Sequence, residues 1–384
     1  MRHEDLASLA RVAEPVNTAR GLPNAFYTDP EVFRQERERV FANGWPAIGF
    51  GKDVPEPGDA RPVNFLGMPL LMVRDRAGVL RVFQNVCRHR GMILVDAPKK
   101  LSGLIRCRYH SWCYELTGAL QATPHVGGPG QNVHEDVDRS KLGLIEIRSH
   151  VWMDIVFVNI SGTAPEFRTY AADLIARCAD FDGQPVYFGG PESAFQLDIK
   201  TNWKLAVENY CESYHLPWVH PGLNSYSKLE DHYHMIEASF SGQGTHAYTP
   251  GFGPNGERFG PFAGLSEKWT KGAEYPSFFP NTLFGFQNDH MFALIIEPVT
   301  HEHSIEHVAI YYADAATTGP KFEAMRQRNA GLWKAIFEED IFVVEGMQRG
   351  RQAPGFDGGK FSPAMDGPTH AFHRWVASRF LEPT

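Results

Sequence analysis

The sequence predicts an α+β fold in which a small antiparallel β domain precedes a larger domain of strands and long helices. The chain has 384 residues, which suits two to three domains, and its 43% apolar and 21% charged residues are ordinary globular values. Short β-rich runs separated by Gly, Pro and Asp fill residues 45–160. Strand-like runs followed by long helical patterns fill residues 161–384, an order that is typical of α+β domains.

Residues 1–44 are expected to form a helical segment that packs on the larger domain. Apolar Val32, Phe33 and Val40 alternate with charged residues, which predicts an amphipathic helix over 29–43. The first residues lack the apolar stretch of a signal peptide, and no run of about 18 apolar residues occurs. Secretion and a membrane-spanning helix are therefore not expected.

Charge and cysteine content narrow the class further. A net charge of −8 does not favour a nucleic-acid-binding surface. The 5 cysteines form an odd number, which is unlike a disulfide framework and favours the reducing cytoplasm. The 17 histidines stand out, because histidine is the commonest metal ligand.

A first group of metal-binding residue types lies inside the β domain. Cys87 and His89 form a C-x-H pair, and 17 residues later Cys107 and His110 form C-x-x-H. A Cys2His2 zinc site is one interpretation, although such sites usually carry both cysteines in one arm. One cysteine and one histidine in each arm is typical of a Rieske [2Fe–2S] centre, where two cysteines hold one iron and two histidines the other.

This segment, including the run YHSWCYELTG, resembles the Rieske motif of ring-hydroxylating and related oxygenases. The resemblance implies that the four residues just named bind one [2Fe–2S] cluster. Many relatives have glycine at the position of Ser111, a difference that is expected to have little consequence. Arg88 and Arg90 flank the first histidine and are either solvated charges or a docking surface for an acidic electron donor.

A second group lies beyond the β domain, in more than 200 residues that an electron carrier alone does not need. His215 and His220, with one carboxylate, suit a facial site that leaves iron(II) open positions for O2 and substrate. Residues five apart do not share a face of a regular helix, but Pro217 interrupts the helical pattern over 201–220. A helix end is therefore expected to bring the two rings together, the alternative being two unrelated histidines.

The surrounding segment resembles the mononuclear-iron segment of the same oxygenases. The matching residues are Asn202, Trp203, Lys204, Glu208, Asn209, Glu212, Tyr214, His215 and His220. The family commonly has Asp where this chain has Glu212, and some relatives that act on quaternary amines also have Glu. The resemblance assigns Asn209 and Glu212 to the catalytic machinery, with Glu212 linking His110 of one subunit to His215 of its neighbour.

The third iron ligand is expected far downstream. The helical run AIFEEDIFVVEGMQRGRQ resembles the last segment of the family, in which an acid precedes E-x-x-Q-R-G. That match implies Asp340 as the ligand, with Gln348 eight residues on, while Glu338 and Glu339 are the competing acids. The resemblance also implies a helix-grip fold for the catalytic domain over 161–384.

Together these resemblances imply the terminal oxygenase α subunit of a Rieske non-haem iron oxygenase. It would use O2 and electrons from a separate NAD(P)H reductase or ferredoxin, because the sequence predicts no nucleotide-binding G-x-G-x-x-G motif, which would follow a strand and open a helix. The expected reaction is hydroxylation or demethylation of a quaternary amine or aromatic acid. The alternatives are cis-dihydroxylation in aromatic hydrocarbon catabolism, a Rieske electron carrier and a zinc-stabilised binding protein.

Assembly and substrate pocket are the remaining expectations. The family forms rings of three, and a homotrimer is favoured over an α3β3 complex. The aromatic residues of 275–292 are mostly expected in strand core, with a few lining the pocket. Residues 221–274 are polar, rich in glycine and of doubtful secondary structure, and they are a candidate gating region. His234, His246 and His290 are candidate polar residues of the pocket, each with a structural role as the alternative.

Overall fold

The computed structural model describes residues 3–381, with side chains from residue 8 onward. The outermost residues of the expected ranges 1–44 and 161–384 thus lie outside the described residues. The chain divides into a smaller unit of residues 47–163 and a larger unit of residues 1–46 with 164–384. Within the described range, no helix combines the length and the apolar character needed to cross a membrane.

The smaller unit is built from antiparallel strands. They are β1 (Ala47–Phe50), β2 (Asp59–Phe65), β3 (Met68–Arg74), β4 (Leu80–Gln84), β5 (Lys99–Lys100), β6 (Leu104–Arg106), β7 (Cys113–Glu115), β8 (Leu120–Ala122), β9 (Glu146–Trp152) and β10 (Ile155–Asn159). One sheet has the order β1-β10-β9-β4-β3-β2-β5, and a three-stranded sheet has the order β6-β7-β8. A buried cluster that includes Leu71, Phe83, Ile105 and Tyr114 joins the two sheets. This core supports the loops that follow β4 and β6.

The larger unit combines helices with one antiparallel sheet. Its helices are α1 (His3–Val12), α2 (Ala25–Thr28), α3 (Pro30–Glu36), α4 (Phe167–Tyr170), α5 (Ala172–Arg177), α6 (Trp203–Cys211), α7 (Leu216–Val219), α8 (Pro221–Asn224), α9 (Glu323–Gly350) and α10 (Gly367–Leu381). Its strands are β11 (Tyr187–Phe188), β12 (Ala194–Ile199), β13 (His232–Ile236), β14 (Phe240–Thr245), β15 (Ala273–Phe278), β16 (Thr282–Phe286), β17 (His290–Thr300) and β18 (His303–Tyr312). The sheet order is β11-β18-β17-β16-β15-β14-β13, and β12 also pairs with β18.

This architecture confirms the predicted α+β class. The amphipathic helix expected over 29–43 is α3, continued by a π-helical turn over Arg37–Ala42. Asp29 caps α3 by accepting a hydrogen bond from the backbone N–H of Glu31, and Pro30 occupies the first turn, where a missing N–H costs nothing. The long helix expected near the C-terminus is α9.

The expectation of doubtful secondary structure over 221–274 is wrong for two segments, because β13 and β14 belong to the main sheet. The run FSGQGT of β14 contains two glycines and a single β-branched residue, Thr245, a composition that does not usually identify a strand. Its glycines serve close packing instead. A side chain at Gly242 would come within 2.2 Å of the carbonyl oxygen of Tyr275 on β15.

A buried ionic contact fixes α6 to the N-terminal segment of the same unit. Nζ of Lys204 lies 2.5 Å from Glu36, and the indole N–H of Trp203 donates to the same carboxylate at 2.8 Å. Lys204 and Glu36 are both fully buried. Their pairing satisfies two charges that would be costly to bury alone, and it holds the helix that leads into the candidate site.

Candidate active site

The four candidate cluster residues lie in two loops that share one hydrogen-bond pattern. In the first loop the N–H of Cys87 donates to the carbonyl of Met92 at 2.8 Å, and the N–H of Gly91 donates back to Cys87 at 3.1 Å. The second loop repeats both bonds from Cys107 and Ser111, at 2.9 and 3.1 Å. Gly91 and Ser111 have φ of 74° and 58°, the left-handed turn that closes each loop.

The loops place sulfur inside and imidazole outside. Cys87 and Cys107 are each 2% exposed, whereas His89 is exposed and His110 is half-buried. The two imidazole rings have their centroids 4.6 Å apart, and the hydroxyl of Tyr114 lies 3.2 Å from the sulfur of Cys87. Two thiols on the inner side and two imidazoles on the outer side fit the ligand division of a Rieske cluster.

The two arginines beside the first histidine differ in environment. Arg88 is half-buried and its guanidinium donates to the carbonyl of Gly143 at 3.0 Å, which gives it a structural contact. Arg90 is exposed and lies with its guanidinium 5.5 Å from the ring centroid of Tyr109. Of this pair, Arg90 is the side chain that stays accessible for a docking partner.

In the larger unit, His215 and His220 flank the single turn of α7 as its N-cap and C-cap residues. The preceding helix ends at Cys211, so the expectation that Pro217 interrupts it is wrong in position. Pro217 instead occupies the first turn of α7, where proline is tolerated. One helical turn between the histidines brings their ring centroids to 5.0 Å.

Asp340 on α9 meets both histidines. Its Oδ1 lies 3.0 Å from Nε2 of His220 and 3.7 Å from Nε2 of His215. One possible ligand atom from each of the three residues lies within 4.8 Å of the other two. This oxygen is buried and has no hydrogen-bond partner among the described residues. Two nitrogens and an otherwise unsatisfied carboxylate oxygen suit an iron(II) facial site. The competing Glu338 instead pairs with Lys334 at 3.6 Å on the helix surface.

Two further acids hold the outer edges of the imidazoles. Oε1 of Glu212 lies 2.6 Å from Nδ1 of His215, and Oε2 of Glu339 lies 2.7 Å from Nδ1 of His220. Both contacts leave Nε2 turned toward Asp340, since carboxylates accept from the Nδ1–H tautomer. Burial opposes a charge on His220, but the carboxylates of Asp340 and Glu339 outweigh it and raise the pKa of His220.

A cavity of about 460 Å³, counted with its open mouth and the solvent space there, adjoins the three candidate ligands. One wall is aromatic and consists of Tyr210, Tyr275, Trp333 and Phe337, here called the aromatic wall. Successive ring centroids along it are 6.5, 6.0 and 5.9 Å apart. Trp333 and Phe337 precede Asp340 by seven and three residues, a helical spacing that places all three on one face of α9.

The helical spacing from Asp340 could have identified Trp333 and Phe337 as cavity residues from the sequence alone. In contrast, Ser227, His232 and Gln243 also line the cavity, and no sequence pattern identified them. Asn209 lines the cavity as well, together with Glu212.

The other candidate pocket residues lie elsewhere. His234, His246 and His290 are not among the described lining residues, and of the aromatic residues in 275–292 the lining includes Tyr275. His290 is fully buried behind the wall, where it accepts a hydrogen bond from the indole N–H of Trp333 at 3.0 Å. It therefore fixes the orientation of a wall residue.

A second cavity of about 330 Å³ lies beside Asp340 and is lined in part by Asn209 and Glu306. Burial, and then the charge of Asp340, raise the pKa of Glu306 to about 8. Burial therefore favours the neutral form of the Glu306 carboxyl group, which limits the negative charge next to Asp340.

Two family models match this chain. Residues 44–135 match the Rieske [2Fe-2S] domain, and residues 190–382, half of the chain, match the ring hydroxylating alpha subunit (catalytic domain). The chain therefore belongs to the ring-hydroxylating alpha subunits. It is a Rieske non-haem iron oxygenase with a [2Fe–2S] domain and a catalytic domain of the kind that binds mononuclear iron in these enzymes.

Individual relatives fall into two groups by their names. The carnitine monooxygenase oxygenase subunit of Acinetobacter pittii is 27% identical over 354 residues, covering 88% of this chain and 86% of the relative. The chloroplastic choline monooxygenase of Arabidopsis thaliana is 26% identical over 374 residues, covering 94% and 82%.

Solved structures share the fold. The quaternary ammonium Rieske monooxygenase CntA in complex with L-carnitine has a TM-score of 0.74 at 23% identity, covering 97% of this chain and 98% of its own. Naphthalene 1,2-dioxygenase from Rhodococcus sp. bound to indole has a TM-score of 0.78 at 18% identity, covering 99% of both chains. At these sequence identities the similarity shows a shared fold only. Whether the substrate is an amine or an arene must therefore be argued from the cavity.

Proposed function

We propose that this oxygenase monooxygenates a small quaternary amine, by hydroxylation or by demethylation through an unstable hydroxymethyl product. The observation that carries the proposal is the aromatic wall directly beside His215, His220 and Asp340. Aromatic faces attract a quaternary ammonium group by cation–π interaction, with Trp the strongest. The named activities of the carnitine and choline relatives point to the same substrate class.

The proposed ligands divide between the two units. Cys87, Cys107, His89 and His110 hold the [2Fe–2S] cluster, and His215, His220 and Asp340 hold iron(II). When bound, these groups supply single electrons and open coordination positions for O2 beside the substrate. Glu212 and Glu339 keep the two imidazoles in the tautomer that presents Nε2, while the aromatic wall orients the substrate and excludes water.

The proposed assembly is a homotrimer in which Glu212 also contacts His110 of the partner subunit. Large apolar side chains near each candidate site support an interface between copies. Trp218 on α7 is 71% exposed and Phe342 on α9 is 68% exposed, and on the smaller unit Tyr109 beside His110 is 55% exposed. A partner subunit that covered these three side chains would remove their apolar surface from water, which favours association.

Electrons are proposed to come from a separate reductase or ferredoxin that docks near Arg90. The proposed compartment is the cytoplasm, supported by five free cysteines in the structure. A reducing environment keeps Cys87 and Cys107 available as thiolates for iron.

A turnover screen tests the proposed function. The iron-loaded enzyme, with a generic NADH-dependent reductase, is supplied with small quaternary amines, benzoate-type acids and bicyclic arenes. Substrate-dependent NADH oxidation with a stoichiometric oxygenated product is expected for an ammonium compound. Product analysis excludes uncoupled O2 reduction. A cis-diol formed from an arene, with no product from any amine, would contradict the proposal and favour the dioxygenase alternative.

A further inference from the structure

Three polar side chains of the cavity form a connected group outside the metal site. His232 on β13 contacts the side-chain oxygen of Gln243 on β14 through Nδ1, and its Nε2 lies 3.0 Å from the hydroxyl of Ser227. Ser227 also lies 3.4 Å from the hydroxyl of Thr245. His232, Gln243 and Ser227 line the same cavity as the aromatic wall.

The protonation of this group follows from donor and acceptor chemistry. A carboxamide oxygen accepts, so Nδ1 of His232 carries the proton that it donates to Gln243. Burial lowers the pKa of His232, which keeps the ring neutral at pH 7. The oxygen of Gln243 is thereby used, and no described residue accepts a hydrogen bond from its amide nitrogen. Gln243 therefore has N–H donors left for a ligand.

The amide and the aromatic wall are close neighbours. Gln243 and Tyr275 are directly paired across β14 and β15, a register that puts their Cβ atoms about 4.5–5.5 Å apart on one face of the sheet. A ligand whose ammonium group contacts the wall needs only a short link to bring an acceptor atom to Gln243. The site thus suits a small molecule with both features.

The charges of the cavity decide which acceptor it takes. Among the described lining residues there is no Lys and no Arg, while Glu212 and Asp340 are both acidic. Iron(II) with one carboxylate ligand carries a net charge of about +1, which Glu212 balances. Arg258 is close enough to act electrostatically on Tyr275, but it does not line the cavity. Its guanidinium is paired with Asp289 at 3.1 Å. A buried substrate carboxylate would therefore lack a cationic partner, which is costly, whereas a neutral oxygen needs only a hydrogen bond.

We propose that Gln243, held by His232, selects an ammonium compound with an uncharged oxygen over a zwitterionic ammonium carboxylate. This inference rests on the proposed function and narrows its substrate class to small ammonium alcohols or their carbonyl counterparts. Gln243 is a specificity-determining residue, and His232 is the positioning residue that leaves its amide free to donate.

Equilibrium binding to the iron-loaded enzyme under anaerobic conditions tests the proposal without turnover. Three matched ligands share the ammonium group: choline, its carboxylate analogue trimethylglycine, and ethyltrimethylammonium, which has no oxygen. Isothermal titration is expected to show choline binding about tenfold tighter than either analogue. Trimethylglycine binding as tightly as choline would overturn the inference, and this comparison needs no variant.

Two variants test whether the side-chain amide of Gln243 causes the preference for choline. Gln243→Met keeps the length of the side chain but removes the donor, so choline is expected to fall to the affinity of ethyltrimethylammonium, whose own affinity stays unchanged. Gln196 contacts His307 at 2.8 Å on the exposed side of the same sheet, and Gln196→Met is the matched control that keeps the choline preference. A choline preference that survives Gln243→Met overturns the role of Gln243.

The outcomes separate the two proposals. If all three ammonium ligands bind with one affinity, the inference fails while the proposed function stands. If none of them binds, the proposed function fails and the inference fails with it.

Discussion

The two proposed metal-binding regions of this chain differ in how far apart their residues lie in the sequence. Cys87 and His110 are 23 positions apart, in two similar loops of one small β unit, whereas His215 and Asp340 are 125 positions apart. The loops close through their own backbone hydrogen bonds. The iron site instead needs α7 and α9 to meet within the larger unit. A site made of local turns depends on spacing and backbone conformation, and a site made of distant elements depends on the whole domain.

The largest predicted effect tests whether the two regions function as separate metal sites. His215→Ala removes an imidazole from the iron site and leaves the cluster loops untouched, so turnover is expected to fall to background. The visible spectrum of the cluster is expected to stay intact, and the iron content to fall from about three to about two per chain.

His303→Ala is the control for this change, because His303 pairs with Asp198 on the exposed side of the sheet. It is expected to keep both turnover and iron content. Turnover that survives in His215→Ala would show that the mononuclear site lies elsewhere.

An intermediate effect is expected from the acids that orient the iron site. Glu339 contacts Nδ1 of His220 at 2.7 Å, and removing such a partner typically costs about 10–100-fold in metal affinity. Glu339→Ala is expected to weaken iron(II) binding by that factor, measured by anaerobic equilibrium dialysis of cluster-loaded protein.

The neighbouring acid provides a matched control. Glu338 pairs with Lys334 on the helix surface, so Glu338→Ala is expected to leave iron(II) affinity unchanged. Equal losses in the two variants would mean that helix charge, rather than the contact with His220, determines the affinity.

The smallest effect concerns the backbone of the cluster loops. Ser111 has φ of 58°, a left-handed conformation that is costly for a residue with a side chain. Ser111→Gly is expected to raise the free energy of unfolding by less than about 1 kcal/mol, because glycine loses more entropy on folding but relieves this strain. Denaturant unfolding monitored by the cluster absorbance measures the change.

Gly91 occupies the equivalent turn of the first loop, with φ of 74° and no atom within 4 Å of an added Cβ. Gly91→Ala is therefore expected to destabilise through backbone strain alone, by about 1 kcal/mol. Ser111→Gly and Gly91→Ala are thus expected to change the free energy of unfolding in opposite directions. A change in the same direction would show that the left-handed turn does not determine the stability of both loops.

Prediction from sequence succeeded where the signal was local. The α+β class followed from short β runs and long helical patterns, and it is confirmed. Strand β14 was missed because its Gly-Gln-Gly run carries no strand propensity and is held by its neighbours in the sheet. The end of α6 was misplaced because Pro217 is equally compatible with starting a new helical turn.

The sequence by itself predicted a Rieske-type cluster site, because the Cys-x-His and Cys-x-x-His arms need only a few residues to define each loop, and its resemblance to the oxygenase family implied the class of enzyme. It also supplied Asp340, although through family resemblance and not through any local pattern. The tertiary structure alone decided that Glu339 holds His220, and that Gln243 and Tyr275 face the same cavity as Trp333. These contacts join residues from separate strands and helices. Sheet register and helix packing bring such residues together, and both depend on the packing of the whole unit.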